Sequence, residues 1–369
     1  MKPFVPEKLP LENIAWEPLI PVIASANRSL AFFDGVLQGI SNPALLLSPL
    51  TTQEAVLSSR IEGTEASLGD VLRFEAGEQP PEMKRQEDIR EIINYRRALK
   101  QAEQALKHKP FNLNLLKELH ATLLDSVQGR NMGRGKFRTE QNWIGQPGTP
   151  IEQAYFVPPE PGRVMEYLDN WEKYYHMQQS DALIQLAITH AQFEIIHPFL
   201  DGNGRIGRII IPIFLYEKRL LSRPMFYLSA YLEMHRDTYV DRLRALGREN
   251  DAWNSWIQFF LTAVEHQARA NAEKARSIIN LYGRLKEQVI ALTHSQFAVP
   301  LLDKMFARPV FQISQLEGKN MPTRPMIHGL VSTLKDAGIL KVLRKGSGRR
   351  GQVLVLAELI NTTEGKQVV

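Results

Sequence analysis

The sequence predicts a mostly helical protein, interrupted once by a β-hairpin and closed by a small domain of helices and two strands. Three observations lead there. Apolar residues recur at helical spacing along most of the 369 residues, as in the stripe Ile89, Ile92, Ile93, Tyr95 and Leu99. Glycine and proline crowd into 128–162 around two short β-like runs. The last stretch, 296–369, reads as helix, helix, helix, hairpin.

Residues 1–50 are rich in proline and apolar residues, with a helical pattern from Ile20 to Phe33. A second helix is expected from Thr51, because Thr51 and Glu54 have the spacing of a capping box. Ala55, Leu57 and Ile61 continue it, and Gly63 offers a stop. Helices follow over 84–107 and from Leu115 to Val127. Then Asn142-Trp143-Ile144 and Ala154-Tyr155-Phe156-Val157 read as two short strands joined by a Gly/Pro turn. Helices resume from Arg163 to Tyr175, Ser180 to Ile196 and Arg205 to Arg219, then over 229–246 and 251–288. The final domain has helical segments at 299–307, 313–317 and 323–337, and strand-like runs from Leu340 to Leu343 and Gln352 to Leu356. That order is the pattern of a winged helix-turn-helix.

Bulk properties exclude several classes. The chain has no cysteine, so disulfides, thiolate metal sites and a thiol nucleophile are excluded. Prolines break up the N-terminus, which has no apolar core of a secretory leader. The apolar run from Ile209 to Leu215 is far short of the ~20 residues of a membrane span. A soluble, cytoplasmic protein with no membrane partner is the expectation. The net charge of +5 is mild, but Lys341, Arg344, Lys345, Arg349 and Arg350 cluster with no acid between them. That hairpin and the preceding helix, 323–350, are a candidate DNA contact, and a protein-binding role for them stays open.

The chemistry concentrates in His197-Pro198-Phe199-Leu200-Asp201-Gly202-Asn203-Gly204-Arg205-Ile206-Gly207-Arg208. The segment lies between two helical patterns. Gly202 and Gly204 bracket Asn203 and leave backbone amides uncovered at a helix start, which is an anion site. Arg205 and Arg208 stand one turn apart and suit a polyphosphate. Asp201 beside phosphate calls for a divalent cation such as Mg²⁺, and His197 can accept a proton near neutral pH. The spacing of His190, Glu194 and His197 is not that of a His-Glu-x-x-His zinc site. Gly135-Lys136 lacks the rest of a P-loop.

This segment resembles the Fic signature, His-Pro-Phe-x-Asp/Glu-Gly-Asn-Gly-Arg-x-x-Arg, at every specified position, and His190-Ala-Gln-Phe193-Glu194 resembles its lead-in. The resemblance implies a helical Fic core with a flap hairpin and a protein adenylyltransferase activity. AMP would pass from ATP to a Ser, Thr or Tyr hydroxyl of a target, or of the chain itself. His197 would be the general base and Asp201 the Mg²⁺ ligand. Gly202, Asn203 and Gly204 would form the anion hole, and Arg205 and Arg208 would grip the outer phosphates. Phe199 would anchor the loop, and a target would dock on the flap at 142–158. Tyr231 and Tyr239 are candidates for the adenine pocket, with a core role equally open.

Ser58-Ser59-Arg60-Ile61-Glu62-Gly63 resembles the family's inhibitory motif, Ser/Thr-x-x-x-Glu-Gly/Asn. The resemblance implies that Glu62 pairs with Arg208 and that Ser58 steadies Asn203, with Gly63 closing the motif. The implied organisation is a helical N-terminal region over 1–105 with an inhibitory helix at about 51–63, a catalytic core over 106–275 and a winged helix over 296–369. Removal of AMP, transfer of another group, a DNA-binding regulator that senses nucleotide, and a homodimer all stay open at this point.

Overall fold

Helix formation follows the apolar spacing closely. The computed structural model describes residues 2–126, 132–145, 148–249, 251–348 and 350–369. In chain order its helices are α1 (Ile20–Gln38), α2 (Pro43–Leu46), α3 (Ser48–Ile61), α4 (Leu68–Glu75), α5 (Met83–Ala105), α6 (Leu113–Leu123), α7 (Val164–His176), α8 (Ala182–Ile196), α9 (Asn203–Glu217), α10 (Ser229–Met234), α11 (Arg236–Ala245), α12 (Ala252–Thr293), α13 (Ala298–Ala307), α14 (Arg324–Asp336) and α15 (Ala357–Glu364). The strands are β1 (Val310–Gln312), β2 (Lys341–Arg344) and β3 (Val353–Val355). Among the described residues no helix is long and apolar enough to cross a membrane.

One compact unit gathers Met1–Asp34, Leu57–Gly63 and Ile93–Arg269. Its centre is α8, which is apolar nearly all round and buried on almost every side, as a core helix must be. Asp181 starts it by accepting the Leu183 and Ile184 amides, both at 2.9 Å. Helices α7 and α9 pack along α8. Trp171 of α7 and Trp256 of α12 are fully buried, and each donates its indole N–H to an α8 carbonyl, of Thr189 and Ala187, both at 2.8 Å. These bonds remove the penalty of burying an indole N–H. Each fully buried apolar side chain of this core, such as Leu186 or Phe193, contributes about 1.5–3 kcal/mol. The active-site loop is the connection between the two most buried helices, α8 and α9.

A second unit gathers Gly35–Val56, Thr64–Ile92 and Ala270–Val369. Its sheet has the order β1-β3-β2, antiparallel throughout, with Val310 opposite Val355 and Lys341 opposite Val355. Val310, Val353 and Val355 pack with Leu68, Leu72 and Ala76 at the α4 helix and with Ala357 and Ile360 of α15. Ser67 and Asp70 form a capping box at the start of α4. Gln315 and Gln312 donate to the Glu75 and Ala76 carbonyls at its end, at 2.8 and 2.6 Å. The sequence reading divides the chain contiguously at 1–105, 106–275 and 296–369, whereas both compact units draw on residues before 105.

Several expectations change. Helix α3 begins at Ser48, and Thr51 is inside it, donating its hydroxyl to the Leu47 carbonyl at 3.4 Å. Pro49 in the first turn moves the start upstream, because its missing N–H costs nothing there. The expected two-stranded flap is a single antiparallel bridge, Ile144 opposite Phe156, with the 3₁₀ turn Ile151–Gln153 between its legs. Proline lacks the N–H donor that a longer ladder needs, and glycine weakens a strand through its backbone entropy. The helix expected over 229–246 breaks at His235, and the segment at 313–317 is a 3₁₀ turn, Ile313–Leu316. Helix α6 stops at Leu123, and Val127 and Arg349 lie outside the described residues.

Candidate active site

The loop between α8 and α9 is set by three fixed points. Phe199 is fully buried, stacked on His120 with ring centroids 3.7 Å apart and tilted against Phe137 at 5.1 Å. Asn203 closes the loop on itself: its Oδ1 accepts the Phe199 amide and its Nδ2 donates to the Phe199 carbonyl, both at 2.8 Å. His120 accepts the Gly135 amide on Nδ1 at 2.9 Å, so its Nε2 carries the proton and donates to the Asp201 carbonyl at 2.9 Å. Burial lowers the His120 pKa to about 4, which keeps the ring neutral and this pair of bonds intact.

His197 follows α8 as its C-terminal cap and takes a left-handed conformation, φ 48° and ψ 60°. Few residues with a Cβ adopt it. Its Nδ1 donates to the Glu194 carbonyl at 3.4 Å, leaving Nε2 to accept a proton. Burial pushes its pKa down to about 4, so the imidazole is neutral over the physiological range. Helix α9 then opens at Gly202 with no side-chain cap. The amides at its start therefore present the positive end of a fifteen-residue helix.

Glu62 reaches this loop from the end of α3. Gly63, at φ +98°, ends that helix, and Arg236 Nε donates to the Ile61 carbonyl at 3.0 Å. Glu62 Oε1 accepts from Arg208 Nη2 at 2.5 Å, and Ser58 takes two further bonds from Arg208, on Oγ at 2.8 Å and on its carbonyl at 2.9 Å. Gly204 leaves room for this approach, since a Cβ there would meet Glu62 Oε1 and the Glu62 side chain would have to shift. Burial raises the Glu62 pKa, and the Arg208 guanidinium outweighs it and holds the carboxyl below its usual range. Arg208 is itself 2% exposed. Burial disfavours its charge, but Glu62, Tyr239 and Glu194 together hold its pKa above the ordinary value.

A cavity of about 820 Å³ opens over these groups, with Glu62, His197, Asp201, Gly204, Arg208 and Tyr239 on its wall and the flap residues Trp143, Ile144 and Tyr155 along its rim. The structure thus brings His197, Asp201, Gly204, Arg208, Tyr239 and Glu62 together as the sequence suggests. Three details differ. Ser58 bonds Arg208 rather than Asn203, whose amide is consumed by Phe199. Arg205 does not line the cavity; it is buried and reaches back to Asp201 at 3.3 Å. Tyr231 packs on His235, Phe259 and His266 instead of the cavity. Tyr239 donates its hydroxyl to His190 Nε2 at 3.0 Å, while His190 Nδ1 donates to the Gly207 carbonyl at 3.2 Å.

Sequence reading missed His120, Arg138 and Glu194 as supporting groups. Glu194 lies one turn before His197, lines the cavity, and has a buried Oε1 with no hydrogen-bond partner. Burial raises its pKa to about 8, against the pull of Arg208 and with the push of Glu62. Its place three residues before His197 was the available signal.

Asp201 is the candidate metal ligand. Its side chain is 44% exposed, and its Oδ1 accepts the Gly202 amide at 2.6 Å. Among the described residues no group of three or more potential ligands could hold an ion alone. A single carboxylate at an anion-binding helix start fits a cation that arrives with phosphate oxygens, the usual habit of Mg²⁺.

Residues 20–104 match the Fic/DOC family N-terminal model and residues 110–215 the Fic/DOC family model. A probable protein adenylyltransferase of Aquifex aeolicus is 27% identical over 312 residues, covering 80% of this chain and 86% of its own. The protein adenylyltransferase of Caenorhabditis elegans is 28% identical over 162 residues, 42% of this chain and 30% of its own. The chain therefore spans most of the bacterial relative but about a third of the animal one. In fold it is similar to a Fic family protein of Desulfovibrio desulfuricans, with a TM-score of 0.59 at 16% identity over 93% of this chain and 97% of that one. A Fic-domain signalling protein of Bacteroides thetaiotaomicron gives 0.55 at 17% identity over 69% and 96%. This chain carries the two parts of the Fic/DOC family in order, the N-terminal region over 20–104 and the Fic/DOC domain over 110–215.

Proposed function

We propose that the chain is a protein adenylyltransferase that moves AMP from ATP to a hydroxyl side chain and is held back by Glu62. The carrying observation is that a neutral His197, an uncapped helix start and Arg208 face one cavity, with Glu62 seated on Arg208. The relatives named as adenylyltransferases support the same reaction.

The phosphates lie at the α9 start, where the Gly202, Asn203 and Gly204 backbone and the helix dipole favour negative charge. Arg208 binds the terminal phosphate once Glu62 has left it. Arg205 acts at one remove, by holding Asp201. Asp201 would hold Mg²⁺, which would supply positive charge against the phosphates. The target hydroxyl attacks the α-phosphorus: the new O–P bond forms, the bond to the β-phosphate oxygen breaks, and pyrophosphate leaves. The hydroxyl proton goes to His197 Nε2. The target lies along the flap, pairing with the edge near Ile144. Tyr239 lines the nucleotide cavity.

The test is incorporation of label from α-labelled ATP into protein, comparing the unmodified chain, Glu62→Gly and His197→Ala. Label should rise with Glu62→Gly and vanish with His197→Ala. Equal labelling in all three would overturn the reading.

The C-terminal segment 296–369 supports a further role. We read its α13, 3₁₀ turn, α14 and β2–β3 hairpin, with β1 completing the sheet, as a winged helix-turn-helix. Arg324, His328 and Ser332 are exposed on α14, and Lys341, Lys345 and Arg350 on the hairpin. We infer that this face, 323–350, binds duplex DNA through phosphates. Binding should weaken steeply with salt and with Lys345→Glu plus Arg350→Glu. Affinity for duplex that ignores both would exclude it.

A further inference from the structure

Arg138 is an unusual arginine. It is 3% exposed and has no carboxylate partner among the described residues. Burial alone lowers its pKa, to about 10. A buried guanidinium without a counter-charge is costly unless its donors are matched. Here they are matched by backbone carbonyls from three segments. Nε donates to the His197 carbonyl at 2.9 Å, and Nη2 to the Pro159 and Ile196 carbonyls at 2.5 and 3.4 Å. Nη1 donates to the Glu140 carbonyl at 3.3 Å. The Arg138 amide adds a bond to the Pro198 carbonyl at 2.9 Å.

The segments are not arbitrary. Glu140 and Pro159 stand at the feet of the two flap legs, which meet at the Ile144–Phe156 bridge. Ile196, His197 and Pro198 form the left-handed turn that presents the imidazole. Neighbouring bonds sew the same seam: Asn142 Nδ2 donates to the Phe199 carbonyl at 3.0 Å, and Gln141 Nε2 to the Pro158 carbonyl at 3.0 Å. Among the described residues, Arg138 is the one side chain at this seam that hydrogen-bonds both flap legs and the turn at once. Its fork of donors also meets the His197 carbonyl, which offsets the cost of the left-handed backbone there.

We propose that Arg138 is a positioning residue for the transfer, fixing the register between the flap that receives the target and the turn that carries His197. Docking on the flap and alignment of the base are then one event. This rests on the adenylyltransferase reading above.

The experiment uses the full chain with Glu62→Gly, adding Arg138→Lys, Arg138→Gln and Arg138→Ala. Lysine can reach one or two of the four carbonyls and glutamine fewer. The transfer rate constant should fall by about a hundredfold, the scale of an ångström's misplacement of a reacting group. ATP affinity by calorimetry should change less than about threefold, since the α9 start is untouched. Guanidinium ion at low millimolar concentration should restore part of the rate to Arg138→Ala and none to His197→Ala. As a readout independent of transfer, the His197 imidazole followed by NMR should titrate higher in Arg138→Ala than in its parent. Loss of rate and ATP affinity together, with a collapsed melting temperature, no rescue and an unmoved imidazole titration, would reduce Arg138 to a structural residue. No label with Glu62→Gly alone would instead sink the adenylyltransferase reading, while the imidazole titration would still judge the hold of Arg138 on His197.

Discussion

Glu62 and Arg208 lie 146 residues apart in the chain and meet at 2.5 Å, with Ser58 taking two more donors of the same guanidinium. Three acceptors thus occupy a side chain that is 2% exposed. On the proposed reading, removing Glu62 would free Arg208 for a terminal phosphate while Ser58 still aims the arginine.

Replacing Glu62 by Gln should therefore give an intermediate enzyme. The amide keeps the shape and loses the charge. A hydrogen bond to a charged group is worth about 1.5–3 kcal/mol, and Glu62 is part exposed, so the lower end applies. Transfer should rise about tenfold in Glu62→Gln and further in Glu62→Gly, measured as initial rates of AMP incorporation.

Acid should weaken the same contact. The Glu62 pKa is held below its ordinary 4.5, so the ion pair contributes fully above pH 4.5 and is lost as pH falls through the lower folded value. The base moves in the same region. With His197 near 4 in the unmodified chain and Glu62 one of the charges that raise it, the acid limb of the rate profile in Glu62→Gly should fall at or below about pH 4 rather than near the free imidazole value. An acid limb centred near 6.5 would show that His197 is not buried as described.

Glu194 predicts a stability signature. Its folded pKa of about 8 exceeds the ordinary 4.5, so the folded chain binds one more proton than the unfolded chain between those values. Its contribution is present below pH 4.5 and is lost as pH rises toward 8. Glu194→Gln mimics the protonated form and should flatten the fall of the melting temperature between pH 5 and 8, read by calorimetric melts.

Asn203→Ala should be costly despite its small size. It breaks both bonds to Phe199 and leaves the buried Phe199 amide unmatched, at about 1–3 kcal/mol, while the Phe199 carbonyl keeps Asn142 Nδ2. The melting temperature should drop by roughly 2–6 °C, and ATP binding should weaken because the α9 start is no longer held. A melt unchanged within about a degree would contradict the loop geometry.

The helices and the chemical loop were legible because both depend on local signals. The α8 and α9 boundaries follow from apolar runs and from Gly202, and twelve consecutive residues carry most of the site. What was hidden depends on distant pairing. Arg138 reads as one more arginine until four carbonyls surround it, and His120 until Gly135 and Asp201 fix its tautomer. Tyr231 and Tyr239 have equal claims in sequence; only the break at His235 turns one to the cavity and the other to Phe259 and His266. The short helix α4 and strand β1 were missed because their apolar faces make sense only against β3.

On the proposed reading, the brake and the group it blocks share one chain. A carboxylate held in the same fold acts at an effective concentration that neither copy number nor dilution alters. A nucleotide that displaces Glu62 would compete with that fixed value, and its supply would set a threshold for activity.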